Sequence, residues 1–139
     1  MCGIAGYIGS KKTFPNNKKI KKCLHLMKRR GPDNQSSLFF NEKFNYLFCS
    51  SRLSIIDLNS RSNQPQEDEK GILVFNGEIY NYLEIKKKLK KKGIVFKTNS
   101  DTEVLLKYLN LNGGDNLAEL DGMWFFYYFS KKKKTTLIS

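Results

Sequence analysis

Met1-Cys2-Gly3-Ile4-Ala5-Gly6-Tyr7-Ile8-Gly9 opens the chain, and its reading decides how the rest is organised. Ile4 and Ile8 alternate with glycines in the period-2 pattern of a strand, and Cys2 falls on the same face. Gly3, Gly6 and Gly9 allow other backbone to approach closely. They do not form a dinucleotide loop, because the spacing is not G-x-G-x-x-G and no strand precedes them. One aminopeptidase cut after Met1 would make Cys2 the N-terminal residue. A free α-amino group titrates at about 7.7–8.0, so near neutral pH a useful fraction can take the thiol proton. Cysteine reacts as the thiolate, and an N-terminal amine can activate an adjacent nucleophile. With Met1 attached, that amine is an amide and the catalyst is unformed. On Cys2 alone the favoured reading is plainer: the first small hydrophobe of a buried strand.

Composition narrows the field. At 139 residues, 40% of them hydrophobic, the chain is long enough for one domain with a real core and short for two. No apolar run approaches the roughly 20 residues that span a bilayer. The N-terminus also lacks a basic region followed by an apolar block, so neither a membrane nor a signal peptide is expected and a cytosolic address is. Cys2, Cys23 and Cys49 are odd in number and unrelated in spacing, which argues against a disulfide framework. With His25 as the single histidine and no C-x-x-C pair, no structural zinc or other metal site is expected; His25, between Leu24 and Leu26, reads as a surface or boundary residue.

The net charge of +12 raises nucleic acid as a partner. Only four of the 25 basic residues are arginine, and the lysines run together at Lys86 to Lys92 and at Lys131 to Lys134. Those runs lack interleaved aromatics for base stacking and fall where a helix's solvent face and a hairpin tip would be. Nucleic acid is therefore disfavoured, and the charge reads as a solvated surface.

Ile20, Cys23, Leu24 and Met27 recur at helical spacing, predicting an amphipathic helix over Lys18 to Lys28 with Cys23 in the core. Arg29-Arg30-Gly31-Pro32-Asp33-Asn34 breaks it. Two strands follow, around Ser37 to Phe40 and Phe44 to Ser50, and Ser51 to Leu58 continues as strand or extended loop. Asn59 to Gln66 reads as a polar loop. Gly71-Ile72-Leu73-Val74-Phe75 fits a fully buried strand, and Asn76-Gly77 after it is a strong hairpin-turn signal. Ile79, Tyr82, Ile85 and Leu89 instead suggest a helix ending at Gly93. Ile94-Val95-Phe96 reads as a strand leading to Ser100-Asp101-Thr102-Glu103, a capping box in which serine caps the helix and glutamate answers three residues on. The helix behind it stops at Gly113-Gly114. Leu117 to Leu120 adds a turn, and Met123 to Phe129 is an emphatic strand that Lys131 to Lys134 turns into Thr135 to Ile138. Strands and helices come in runs, so a layered α+β fold fits better than a doubly wound one.

Taken together, the segments Met1 to Gly6, Arg30 to Asp33, Arg52 to Asp57, Gln64-Pro65, Asn76 to Asn81, Ser100 to Glu103 and Leu120 to Trp124 resemble the glutamine-hydrolysing domain of the asparagine synthetase family. That domain is a class II amidotransferase with an N-terminal nucleophile. The resemblance implies a four-layer α/β/β/α sandwich over residues 2–139, incomplete at its C-terminus and with exposed sheet edges. It implies that the ATP-binding synthetase domain is absent and that ATP and Mg belong to that part alone, with no cofactor here.

The resemblance also assigns roles. Cys2 would attack the side-chain amide of glutamine, the small-molecule substrate, and the ammonia released would serve asparagine synthesis in the adjoining synthetase domain. Asn76, through its side chain, and Gly77, through its N–H, would hold the oxyanion. Arg52 would grip the α-carboxylate through paired N–H···O bonds, and Glu78 and Asp101 would face the α-ammonium. Backbone at Leu53, Ser54, Ile55 and Ile56 would line the pocket. A surface ion pair for Arg52 and a simple dipole role for Asp101 are the plain alternatives. A non-catalytic basic binding module and a glutaminase domain of another class II amidotransferase stay open, as does homodimer formation.

Overall fold

The computed structural model describes residues 2–139, so the state of Met1 lies outside the described residues. Ten elements follow in order: β1 (Gly3–Gly9), α1 (Asn17–Met27), β2 (Asn34–Asn41), β3 (Asn45–Arg52), β4 (Gln66–Glu67), β5 (Gly71–Ile79), α2 (Tyr82–Lys91), α3 (Asp101–Asn112), β6 (Gly122–Ser130) and β7 (Thr135–Ile138). The architecture is mixed α/β with two antiparallel sheets. One has the order β1-β3-β2 and the other β4-β5-β6-β7.

Side-chain alternation along β5 assigns its two faces. Ile72 and Val74 pack with Phe129 against Tyr46 and Phe48 of β3, joined by Ile4, Leu38 and Phe40, so the sheets face each other there. Leu73 and Phe75 point the other way, into a cluster with Ile85 and Leu89 of α2 and Val104, Leu105 and Leu109 of α3. Phe48, Phe75, Phe126 and Phe129 are fully buried; each such side chain contributes about 1.5–3 kcal/mol through its burial. On the other sheet Met27 of α1 sits over Gly3, where an added Cβ would stand 3.0 Å from the Met27 Cβ. Met123, Phe125 and Ile138 are exposed.

Several expectations change. Asn76-Gly77 does not turn the chain: β5 runs through both residues to Ile79, and Gly77 lies opposite Trp124 of β6. Glycine is required at position 77 because a Cβ would come within 2.1 Å of the Met123 carbonyl oxygen. Ile94 to Phe96 forms no strand; Ile94 and Phe96 pack on the helical core while Val95 is exposed, an alternation satisfied without a ladder partner. Ser100 caps α3 as expected, accepting the Glu103 N–H at 3.2 Å. Glu103 does not answer to Ser100; its carboxylate accepts the N–H of Lys97 and of Thr98 and the Thr98 hydroxyl. Cys23 is half-buried rather than core, since α1 packs on its sheet with no residue fully covered. Lys86 departs from the solvated lysine face: it is buried and donates to Thr98 O at 2.9 Å and Asn99 Oδ1 at 3.1 Å.

Candidate active site

β1 pairs with β3 so that Gly3 lies opposite Ser51, which brings Cys2 and Arg52 to neighbouring strand ends. Cys2 is half-buried and its Sγ lies 3.8 Å from Leu53 O. The turn at Arg30 to Asp33 holds this corner together. Arg30 Nε donates to Cys2 O at 3.3 Å, Ser51 Oγ to Gly31 O at 2.6 Å, and the Ser54 N–H to Asp33 Oδ2 at 2.7 Å. Gly31 has no room for a side chain, because a Cβ would meet Ser51 O at 2.0 Å. In sequence that segment reads as a helix breaker and as one of the pieces of the family resemblance, without a structural task.

The second wall is the part of β5 beyond β4. Two of its backbone donors are met by side chains: Phe75 N–H by Gln64 Oε1 at 2.6 Å and Ile79 N–H by Asp101 Oδ2 at 3.3 Å. Amide direction alternates along a strand, so the Gly77 N–H projects from the same edge, between those two acceptors. The cleft there is lined by Cys2, Arg52, Leu53, Ile55, Ile56, Gln64, Phe75, Gly77, Glu78, Asp101 and Thr102. Residues far apart in sequence thus meet: Cys2, Arg52, Leu53, Ile55, Ile56, Gly77, Glu78 and Asp101 were all expected. Ser54 and Asn76 do not form its walls. Asn76 Oδ1 is instead buried without a partner among the described residues. Gln64, Phe75 and Thr102 were missed as wall residues; the Gln64-Pro65 pair was the available signal.

The electrostatics of the cleft are uncompensated. Arg52 is 5% exposed, and its terminal nitrogens donate only to neutral oxygens: Nη1 to Asn59 O at 3.3 Å and Asn63 Oδ1 at 2.9 Å, Nη2 to Ile56 O at 3.2 Å and Asp57 O at 2.5 Å. Among the described residues only its Nε–H is unpaired, so the two-pronged grip expected of Arg52 requires some of these bonds to exchange. Asp101 is 6% exposed. Burial pushes its carboxyl above the usual carboxylate range, and nearby Glu78 pushes the same way against the Ile79 and Thr102 N–H groups. No ion pair among the described residues involves Arg52, Glu78 or Asp101. A buried charge without a counter-charge is costly, and this cleft holds a cation and two acids with no ion pair among the described residues.

The enclosed part of this cleft is small, about 40 Å³. A hollow of about 470 Å³ beside the β6–β7 turn is larger, but it is lined by Lys70, Lys132, Lys133 and no acid or thiol. Chemistry, not size, selects the first. Cys49 is no rival nucleophile: burial, with Cys23 adding to it, pushes its thiol up to about 12.

Comparison with known proteins assigns the family. The sequence matches the glutamine amidotransferase domain over residues 1–139. The chain belongs to that family. Among its relatives, a putative asparagine synthetase [glutamine-hydrolyzing] 2 of Methanocaldococcus jannaschii is 39% identical across 89% of the chain. Asparagine synthetase [glutamine-hydrolyzing] 1 of Bacillus subtilis is 38% identical across 89%. A probable asparagine synthetase [glutamine-hydrolyzing] of Schizosaccharomyces pombe is 39% identical across 74%. The chain spans only 27%, 20% and 18% of those three relatives.

Proposed function

We propose that this amidotransferase domain hydrolyses glutamine to glutamate and ammonia at Cys2. The observation that carries the reading is the uncompensated cleft: buried Arg52 on one side, Glu78 and Asp101 on the other, and a thiol between strand ends. A zwitterionic amino acid supplies both missing charges, its carboxylate to Arg52 and its ammonium to the acids. The glutamine-hydrolyzing names of the relatives support the choice of glutamine among amino acids.

In the proposed reaction, removal of Met1 frees the α-amine of Cys2, which takes the thiol proton. Sγ attacks the side-chain amide carbon, and the oxyanion that forms accepts the Gly77 N–H; such a donor is worth about 2.7–4 kcal/mol of barrier. The carbon–nitrogen bond breaks, the nitrogen leaves as ammonia with the proton returned by the amine, and a glutamyl thioester remains. Water adds to that carbon, the carbon–sulfur bond breaks, and the thiol regains its proton as glutamate leaves. On this reading the side-chain amide of Asn76, whose Oδ1 is buried without a partner among the described residues, is the second oxyanion donor.

On the same reading the facing sheets and flanking helices form the four-layer α/β/β/α sandwich of N-terminal nucleophile hydrolases. The ammonia would feed asparagine synthesis, as the relatives' names suggest; on the family resemblance, that step would be ATP-dependent, start from aspartate and lie in an adjoining synthetase domain in the cytoplasm. The test is glutamate release from glutamine by the Met-free chain and by Cys2→Ala, which should abolish it; release that survives the substitution rejects Cys2 as the nucleophile.

A further inference from the structure

Asp57 ends the segment Arg52 to Asp57 but has no place in the reaction above. Its backbone stands at φ 52, a conformation uncommon outside glycine and tolerated best by Asn and Asp. The carboxylate holds it there. Oδ2 accepts the Asn99 N–H at 2.7 Å and Oδ1 the Asn59 N–H at 3.2 Å, with Arg61 Nη2 at 3.8 Å from Oδ2. The carbonyl of the same residue accepts from Arg52 Nη2 at 2.5 Å, beside Ile56 O at 3.2 Å.

One residue therefore touches Arg52 directly and the backbone just before Asp101. Its side chain fixes the turn at Asn99, two residues before Asp101, and its main chain receives the guanidinium of Arg52. Because no carboxylate pairs with Arg52 among the described residues, the Ile56 and Asp57 carbonyls on Nη2, with Asn59 O and Asn63 Oδ1 on Nη1, set where its charge points. We propose that Asp57 is a positioning residue: it holds the Arg52 guanidinium at a fixed place relative to Asp101, so that the α-carboxylate and α-ammonium of one amino acid are bound together. Removing the carboxylate frees the loop to relax toward ordinary backbone and carries the Ile56 and Asp57 carbonyls away from the guanidinium. The Asn99 N–H lowers the Asp57 carboxyl below its ordinary range, ahead of the smaller effects of Asn59 and Arg61, so the tether stays charged in mild acid.

The proposal rests on the reading of the cleft as an amino-acid site, and the test separates the two. Binding of glutamine and of 4-aminobutanamide, its analogue without the α-carboxylate, is measured by NMR titration in the Met-free chain carrying Cys2→Ala. Asp57→Ala should weaken glutamine binding about tenfold, the scale of one lost hydrogen bond to a charged group, and leave the analogue nearly unchanged. Asp57→Asn, which keeps one acceptor and tolerates the backbone, should fall between, and it carries the comparison should the alanine variant not fold. Equal weakening for both ligands, or none for either, overturns the positioning role while the cleft reading stands. If the Cys2→Ala chain binds neither ligand, or both equally, the cleft reading falls and the proposal with it.

Discussion

Asp101 Oδ2 accepts the Ile79 N–H at 3.3 Å, so the acid facing the cleft also fastens α3 to the strand that carries Gly77. The two tasks make opposite demands. Fastening needs only an oxygen, whereas holding an ammonium needs the charge.

Asp101→Asn separates those tasks. Burial first, and then Glu78, raise the folded pKa of Asp101 above its unfolded value. A carboxyl shifted that way stabilises the fold fully below its unfolded pKa and loses that contribution as pH rises through the folded one. At neutral pH the ionised side chain is therefore a cost. The asparagine variant should keep its melting temperature or gain on it, while KM for glutamine rises at least about tenfold, as for a lost charged hydrogen bond. In the wild type, 1/KM should fall as pH drops through a value above the ordinary carboxylate range, and the variant should lack that limb. Thermal melts and pH–rate profiles on both proteins check this.

Gly77→Ala tests whether the strand must approach β6 this closely. The new Cβ would stand 2.1 Å from Met123 O and 2.7 Å from Trp124 Cα, and backbone cannot step aside as a side chain can. Denaturant unfolding should show a loss of about 3 kcal/mol or more, the range of buried steric conflict, with glutamine turnover lost as well.

Lys86→Ala and Lys87→Ala are neighbours in a lysine run and should behave differently. Lys86 ties α2 to the segment before α3 through Thr98 O and Asn99 Oδ1, with its Nζ 5.2 Å from the Phe96 ring centre. Its burial lowers its pKa, ahead of repulsion from Lys90. Removing it leaves the Thr98 carbonyl without that donor and should cost about 1–3 kcal/mol. Lys87 is exposed, and its substitution should stay within about 0.5 kcal/mol. Paired denaturant curves decide.

Local chemistry in the sequence reaches as far as these elements and little further. Ser100 announces the start of α3, Gly93 the end of α2, and the run Met123 to Phe129 a strand, because each signal is carried by the residues themselves. Asn76-Gly77 misleads for the opposite reason: the same glycine that suits a turn also suits a strand pressed against another backbone, and only β6 decides between them. Lys86 looks like Lys87 until the segment Phe96 to Asn99 folds over it. Cys2, Arg52 and Asp101 are joined in the sequence only by resemblance to a family; their meeting in one cleft depends on the β1–β3 register and on the packing of α3 against β5, fastened at Asp101 by its bond to Ile79. Gln64 as a wall residue, and Asp57 as a tether with Asn99, are tertiary facts with no local period to reveal them.

The most direct measurement on the central claim is a mass-spectrometric map of cysteine labelling by a glutamine-like diazo ketone, with and without excess glutamine. One adduct is expected, on a Cys2 freed of Met1 and suppressed by glutamine, with none on Cys49, whose buried thiol is pushed up to about 12. Labelling of Cys23 or Cys49 in preference to a Met-free Cys2, or labelling of Cys2 that glutamine does not suppress, would contradict it.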